Sequence, residues 1–263
     1  MSTLENYLNA KREHNEKVVS IYLTAGYPNF EATLPLLRSL VKGGADLIEL
    51  GVPFSDPLAD GPTIQEASQK ALEGGITLEK TLLLLAEFKK ESDVPVILMG
   101  YANPFHRYGW EEITADAADA GASGFIIPDL PPEESEDIDT LAREKNLDLI
   151  YLVSPNTPNS RVEQIRQKSR GFIYAVSLTG VTGARKSLPA ETLDFLKRLR
   201  EQTDKPVLIG FGISNGETAN TMAEQGDGVF IGSAVINTIR ESNSLEDACV
   251  NVEEFVRSIR EAT

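Results

Sequence analysis

The chain alternates between short apolar segments rich in β-branched residues and segments with helical spacing. Eight β-type segments can be counted in its 263 residues: 18–26, 46–53, 95–103, 124–131, 148–155, 171–180, 206–213 and 228–235. A helical pattern follows each of them, as in residues 191–204, where leucines recur at helical spacing. Eight strand–helix units predict an α/β fold, a single (β/α)8 TIM barrel over residues 1–263. A doubly wound open sheet is the alternative.

An additional helix precedes the first strand, and two of the units are longer than the others. Residues 3–15 are amphipathic, which predicts a helix that plugs the bottom of the barrel. The second and third segments start 49 residues apart and the sixth and seventh 35 apart, whereas the other starts are 22–29 residues apart. We therefore expect extended loops after strands 2 and 6, on the face where barrel active sites are built.

Composition limits the partners and the location of the protein. Forty acidic against twenty-five basic residues give a net charge of −15, which repels nucleic acid and anionic membranes. No apolar run reaches the roughly 18 residues that cross a bilayer, and the polar N-terminus is unlike a signal peptide, which indicates a cytoplasmic protein. The single cysteine, Cys249, and the two histidines, His14 and His106, lack metal-ligand spacing, so no metal site is predicted.

The second strand contains a carboxylate among apolar residues. Side chains alternate along a strand, so Leu47, Glu49 and Gly51 share one face, and Ile48 and Leu50 share the other. The aliphatic face suits the surrounding helices, which directs Glu49 into the barrel near its mouth. Full burial there raises a carboxyl pKa by up to about 3–5 pH units, which suits proton transfer near neutral pH. A glutamate held by a structural hydrogen bond is the alternative.

The loop that follows this strand is stiff and acidic. Prolines at positions 53, 57 and 62 fix the backbone of the stretch GVPFSDPLADGP. Asp60 lies two residues before Pro62, where its carboxylate either folds back over the mouth toward Glu49 or caps the helix that begins there.

Glycine-rich segments end the last two strands. GFGIS (210–214) closes the seventh strand, and IGSAV (231–235) closes the eighth and leads into a short helix. Together they predict a nest of backbone N–H groups that binds a phosphorylated small molecule. Residues 177–189, after the sixth strand, combine glycines, threonines and two cations and are predicted to form a mobile lid over the anion. A disordered connection is the alternative.

These segments closely resemble the signature of the tryptophan synthase α subunit family. LIELGVPFSDPLADGPTIQ carries the resemblance, and GYANP, PDLP, SLTGVTGAR, GFGIS and IGSAV follow in the family's order. The resemblance implies a lyase of L-tryptophan biosynthesis that cleaves indole-3-glycerol phosphate to indole and D-glyceraldehyde 3-phosphate without a metal or organic cofactor. It also implies an α2β2 heterotetramer, in which indole passes through a tunnel to a β subunit that carries pyridoxal phosphate.

The resemblance implies a role for each matched residue. Glu49 would be the general acid–base, and Asp60 would bind the indole N–H and stabilise positive charge on the ring. The other residues at the substrate would be Tyr22, Ile64, Tyr101, Tyr174, Thr182, Gly183, Phe211, Gly212, Gly232 and Ser233. Position 22, commonly Phe in the family, is a tyrosine here. The surface for the β subunit would include Pro53, Asp56, Pro57, Asn103, Pro104, Asp129 and Pro131.

Two other functions compete with the lyase. A phosphosugar isomerase or epimerase would use the same phosphate nest, but the loop from Glu49 to Asp60 and the absence of paired histidines at strand ends argue against it. A non-catalytic activator of a β subunit would need neither the two carboxylates nor the phosphate nest.

Overall fold

The strands form one parallel sheet. The computed structural model of the chain describes residues 2–176, 190–210 and 212–263. Within these ranges there are nine strands: β1 (Val18–Thr24), β2 (Leu47–Gly51), β3 (Val96–Met99), β4 (Gly124–Ile126), β5 (Asp148–Ile150), β6 (Leu152–Val153), β7 (Ile173–Val176), β8 (Val207–Gly210) and β9 (Gly228–Ile231). Their order in the sheet is β5-β4-β3-β2-β1-β9-β8-β7-β6, and every neighbouring pair is parallel.

The two edges of this sheet belong to one stretch of chain. β5 and β6 are separated only by Tyr151, and β5 pairs with β4 while β6 pairs with β7. The residue between the two strands is also tied to the sheet, because the backbone N–H of Tyr174 in β7 donates to the carbonyl of Tyr151 at 3.1 Å. The sheet therefore closes into the predicted (β/α)8 barrel, with the predicted fifth strand, 148–155, divided in two.

Helices surround the strands. Those of the described ranges are α1 (Thr3–Glu13), α2 (Thr33–Gly43), α3 (Pro62–Glu73), α4 (Leu78–Lys89), α5 (Ala102–Tyr108), α6 (Trp110–Asp119), α7 (Glu136–Glu144), α8 (Asn159–Lys168), α9 (Ala190–Gln202), α10 (Gly216–Ala223), α11 (Ser233–Glu241) and α12 (Leu245–Ala262). Short 3-10 helices occupy Phe30–Ala32 and Pro132–Glu134.

The long unit after β2 contains a loop and the additional helix α3, which accounts for its surplus residues. The third strand was predicted over 95–103, but β3 ends at Met99 and α5 begins at Ala102. The apolar run continues through that boundary, so its composition does not mark where the helix begins. The predicted lid, residues 177–189, lies outside the described residues.

The barrel has two cores, one on each side of the sheet. Ile48 and Leu50 belong to the large core between the strands and the helices, whereas Leu47 belongs to the core inside the barrel. Leu4 and Leu8 of α1 join that inner core, so the predicted plug is confirmed.

The plug is also anchored by polar contacts. The Ser2 hydroxyl accepts a hydrogen bond from the Glu5 backbone N–H at 3.0 Å, which caps α1, and donates to the buried Asp148 carboxylate at the start of β5. Arg170 lies on the other side of that carboxylate, with 3.3 Å between its Nε and Oδ1 of Asp148. These contacts join the N-terminal helix to the bottom of the barrel wall.

Helices from both ends of the chain cover the same sheet. The outer core includes residues from Val19 to Ile259, and α2 packs against the C-terminal helix α12. We therefore propose, as the sequence predicted, that residues 1–263 form one domain. None of the helices described is both long enough and apolar enough to cross a membrane.

Substitution of a leucine in the plug tests its packing. Leu8 is only 1% exposed, so Leu8→Ala should lower the free energy of unfolding by about 2–5 kcal/mol, through lost burial and a residual cavity. Leu83 on α4 is 62% exposed, so Leu83→Ala should change it by less than about 0.5 kcal/mol. Urea unfolding followed by circular dichroism compares the two variants, and equal losses would contradict the plug.

Candidate active site

Glu49 lies inside the barrel with a carboxylate that is only partly satisfied. The residue is 1% exposed and lies two positions after Leu47 of the inner core, on the same face of β2. Its Oε1 accepts a hydrogen bond from Ser20 Oγ at 3.3 Å, whereas Oε2 has no partner among the described residues. Burial raises the pKa of Glu49 well above its ordinary value, and the Ser20 hydrogen bond opposes that rise. Burial therefore favours the protonated form of this carboxyl, and Oε2 is left for a further contact.

A tyrosine crosses the end of the strand just beyond Glu49. Tyr22 on β1 is in register with Glu49, and the Thr24 hydroxyl donates to the Tyr22 hydroxyl at 3.2 Å. A Cβ at position 51 would overlap that hydroxyl and lie 2.7 Å from the ring carbon Cε2. Only glycine at position 51 therefore leaves room for the phenol.

Asp60 lies in the loop after β2 and does not cap a helix. Helix α3 has Gly61 as its N-cap and Pro62 as its first residue, without a side-chain cap, so the capping alternative for Asp60 is wrong. Burial raises the pKa of this half-buried carboxyl to about 6, and a hydrogen bond with Tyr101 opposes the rise.

Glu49 and Asp60 both affect the pKa values of the same two tyrosines, Tyr22 and Tyr174. Burial is the main cause of the raised pKa values of Tyr22 and Tyr174, and Asp60, together with Glu49 when it is ionised, raises both further. Both carboxyls therefore lie near these two phenols, which remain protonated.

A cavity of about 550 Å³ opens at the ends of β8 and β9. Its walls include Ile64, Tyr174, Gly212, Phe230, Gly232 and Ser233. A Cβ at position 232 would lie 3.5 Å from Cβ of Tyr22 and 3.6 Å from Cδ1 of Ile64, so this wall of the cavity packs near the tyrosine beside Glu49.

The positive end of a helix faces this cavity. Gly232 is the N-cap of α11, and no side chain of the described ranges caps that helix. The N–H groups of Val235 and Ile236 already bond to the Gly232 carbonyl, which leaves the amides of Ser233 and Ala234 without a helical acceptor. By contrast, Asn215 and Ser244 cap α10 and α12 with their side chains. An anion in the cavity would meet free amides and the helix dipole.

Comparison with known proteins identifies the family of the chain. The family model of the tryptophan synthase alpha chain matches residues 8–263. This chain belongs to that family. The alpha chain of Dehalococcoides mccartyi is 46% identical over 246 residues, which cover 94% of this chain and 95% of the relative. That of Roseiflexus sp. is 47% identical over 240 residues, which cover 91% of this chain and 92% of the relative.

Solved structures of tryptophan synthase have the same fold. The crystal structure of subunit alpha from Legionella pneumophila str. Paris has a TM-score of 0.92 and 38% identity, and the match covers 100% of this chain and 98% of that one. A tryptophan synthase complex from Pyrococcus furiosus has a TM-score of 0.85 and 35% identity, with coverage of 92% and 97%.

The structure brings most of the residues singled out by the alpha-chain resemblance to one end of the barrel. Three of them, Thr182, Gly183 and Phe211, lie outside the described residues. Among those predicted for a partner surface, Asp56, Asn103 and Asp129 are exposed, Pro57, Pro104 and Pro131 are half-buried, and Pro53 is buried. Their contact with a partner stays a prediction.

The sequence analysis missed two residues of this site. Ser20 contacts the Glu49 carboxyl, and the alternation that places Tyr22 inward on β1 would have indicated Ser20 as well. The ring of Phe230 lies 4.0 Å from that of Tyr174 across the cavity wall, and only the pairing of distant strands brings the two together. In the described ranges, no group of three or more His, Cys, Asp or Glu side chains is placed to hold a metal ion.

The burial of Glu49 predicts a cost to stability that depends on pH. The pKa of its carboxyl is higher in the folded than in the unfolded state, so this group lowers stability as pH rises above about 4.3, the ordinary value of a glutamate. Glu49→Gln removes the titration, so its free energy of unfolding should exceed that of the wild type increasingly with pH, by about 1.4 kcal/mol per pH unit until the folded pKa is reached. Urea titrations at several pH values measure the difference. A difference independent of pH would contradict the raised pKa.

Proposed function

We propose that Glu49 and Asp60 carry out the α reaction of tryptophan synthase, the cleavage of indole-3-glycerol phosphate to indole and D-glyceraldehyde 3-phosphate. Membership of the family gives the chain this reaction, a carbon–carbon lyase step of tryptophan biosynthesis. The observation that carries the residue assignment is the Glu49 carboxyl, buried inside the barrel with one oxygen unpaired among the described residues.

Glu49 has the properties of the acid in a retro-aldol cleavage. The bond between the indole ring and the glycerol chain breaks, its electron pair stays with the ring, and the ring carbon must gain a proton. A carboxyl whose burial favours the protonated form can donate this proton, and its conjugate base can then accept the proton of the glycerol hydroxyl as the aldehyde forms. One group thereby serves both proton transfers.

Asp60 has the complementary properties. With a pKa of about 6 it is mostly ionised at pH 7, so it can accept the indole N–H and stabilise positive charge on the ring. The deeper burial of Glu49 separates the two carboxyls into an acid and an anion, as in other enzymes that use two carboxyl groups for different steps.

The phosphate of the substrate is proposed to bind at the N-terminus of α11. Gly232, Ser233 and Gly212 line the cavity there, and the amides of Ser233 and Ala234 have no backbone acceptor among the described residues. Tyr174, Ile64 and Tyr22 would hold the indole ring between the phosphate and the carboxyls. The contacts assigned to Thr182, Gly183 and Phe211 by the family resemblance remain part of this proposal.

The protein works with a tryptophan synthase β subunit, in keeping with its family and with neighbours that include whole tryptophan synthase complexes. We propose that the partner surface of an α2β2 heterotetramer is formed by exposed or half-buried residues of the loop after β2, the first turn of α5 and the loop after β4: Asp56, Pro57, Asn103, Pro104, Asp129 and Pro131. Pro53 remains part of the prediction, although its burial leaves it little area for contact. A cytoplasmic location suits a biosynthetic enzyme whose substrate and product are charged phosphate esters.

Amide replacement of each carboxylate tests the assignment. Glu49→Gln cannot donate the proton and Asp60→Asn carries no charge, so each variant should release indole from indole-3-glycerol phosphate at least about 10²-fold more slowly than the wild type. Indole release is measured with the β subunit present. Full activity in Glu49→Gln would exclude this mechanism, and an inactive wild type would favour a non-catalytic activator or an isomerase instead.

A charge at the α11 N-terminus tests the phosphate site. Gly232→Asp places a carboxylate beside the bound anion and should raise KM for indole-3-glycerol phosphate by about tenfold or more. Gly232→Ala adds only a methyl group, whose nearest neighbour would be 3.5 Å away, and should raise KM far less. Steady-state kinetics compare the two, and similar KM values in both variants would place the phosphate elsewhere.

A further inference from the structure

Tyr101 contacts two consecutive residues of the loop that follows β2. The residue is 5% exposed and is the N-cap of α5. Its hydroxyl oxygen accepts a hydrogen bond from the Ala59 backbone N–H at 3.0 Å, which places the hydroxyl close enough to the neighbouring Asp60 carboxylate to lower its pKa. Burial and the Asp60 charge raise the phenol pKa, so Tyr101 stays protonated and is the donor to Asp60.

The start of α5 is fixed on its other side. The backbone N–H of Ala102 donates to Asp129 Oδ1 at 2.9 Å, and the Tyr101 ring lies 5.5 Å from the ring of Phe54. The phenol therefore projects from a backbone that is held by the loop after β4, and it reaches across to the loop after β2.

The other contacts of Asp60 hold its backbone. Its N–H donates to the Pro57 carbonyl at 3.0 Å, and its carbonyl accepts from Gln65 Nε2 at 2.9 Å. In the part of the chain that the structure describes, Tyr101 is the one side chain whose hydrogen bonding lowers the pKa of the Asp60 carboxyl. The direction of this side chain thus depends on one phenol, in a loop whose neighbouring Leu58 is 94% exposed.

We infer that the Tyr101 hydroxyl is a positioning group that aims the Asp60 carboxylate at the indole N–H, a role beyond that of a wall of the indole pocket. The inference rests on the proposed function. If Tyr101 only lined the indole pocket, its aromatic ring would be sufficient and phenylalanine would serve equally well at this position. A positioning role needs the hydroxyl, because it fixes the Ala59 backbone next to Asp60 and acts on the Asp60 carboxylate.

Tyr101→Phe separates the two roles, because it keeps the ring and its contact with Phe54. In the complex with the β subunit, kcat for indole release should fall by about tenfold or more, since the hydrogen bond to a charged group is lost. KM should change by less than about twofold. Loss of the donor also raises the Asp60 pKa. The acid limb of the pH profile, which is the fall of kcat/KM at low pH and is centred near pH 6 in the wild type, should therefore shift to higher pH by about one unit.

Tyr108→Phe is the matched control. Tyr108 ends the same helix, and its hydroxyl donates to the Asp116 carboxylate at 2.5 Å, so the control removes a phenol–carboxylate hydrogen bond away from the site. It should leave kcat and the acid limb unchanged. Wild-type kcat and an unmoved acid limb in Tyr101→Phe would overturn the inference, as would equal losses in both variants. The proposed function would still stand if Asp60→Asn were inactive, whereas a wild type that releases no indole would overturn both.

Discussion

The alternation of side chains along β2, inside a closed barrel, is the constraint on which the site depends. It sends Leu47 into the inner core, Glu49 into the layer above and Gly51 to the rim, while Ile48 and Leu50 face the helices. A shift of one residue in register would bury aliphatic side chains inside and turn the carboxyl outward. The plug helix α1 fills the opposite end of the barrel, so Glu49 has access to a ligand only from the mouth.

The chemistry follows from two carboxyls at different depths. Glu49 is surrounded by the barrel wall and receives one long hydrogen bond from Ser20, so desolvation governs its protonation. Asp60 lies in a loop, half-buried and supported by a phenol, and its pKa rises less. Neither setting requires a cation. In a chain with a net charge of −15, the dipole and free amides of α11 provide positive potential where the anionic end of a substrate would lie.

The sequence predicted the barrel, the plug and the inward direction of Glu49, because each depends on a repeated pattern over many residues. It did not predict the interruption at Tyr151 or the helix that begins at Ala102, since the apolar segments there continue across the boundary. The sequence allows two interpretations of Asp60, a helix cap or a carboxylate over the barrel mouth, because the choice depends on the backbone conformation of Gly61. The contacts of Asp60 with Tyr101 and of Phe230 with Tyr174 depend on tertiary packing alone.

The close approach of Tyr22 to Gly51 has a consequence for how such a barrel can diverge. The phenol occupies the space where a side chain at position 51 would begin, although the two residues are on different strands. A mutation at position 51 can therefore be accepted only after the residue at position 22 has become smaller or has turned away. In related sequences the two positions should evolve as a coupled pair, with the glycine retained wherever a large aromatic ring occupies the neighbouring strand.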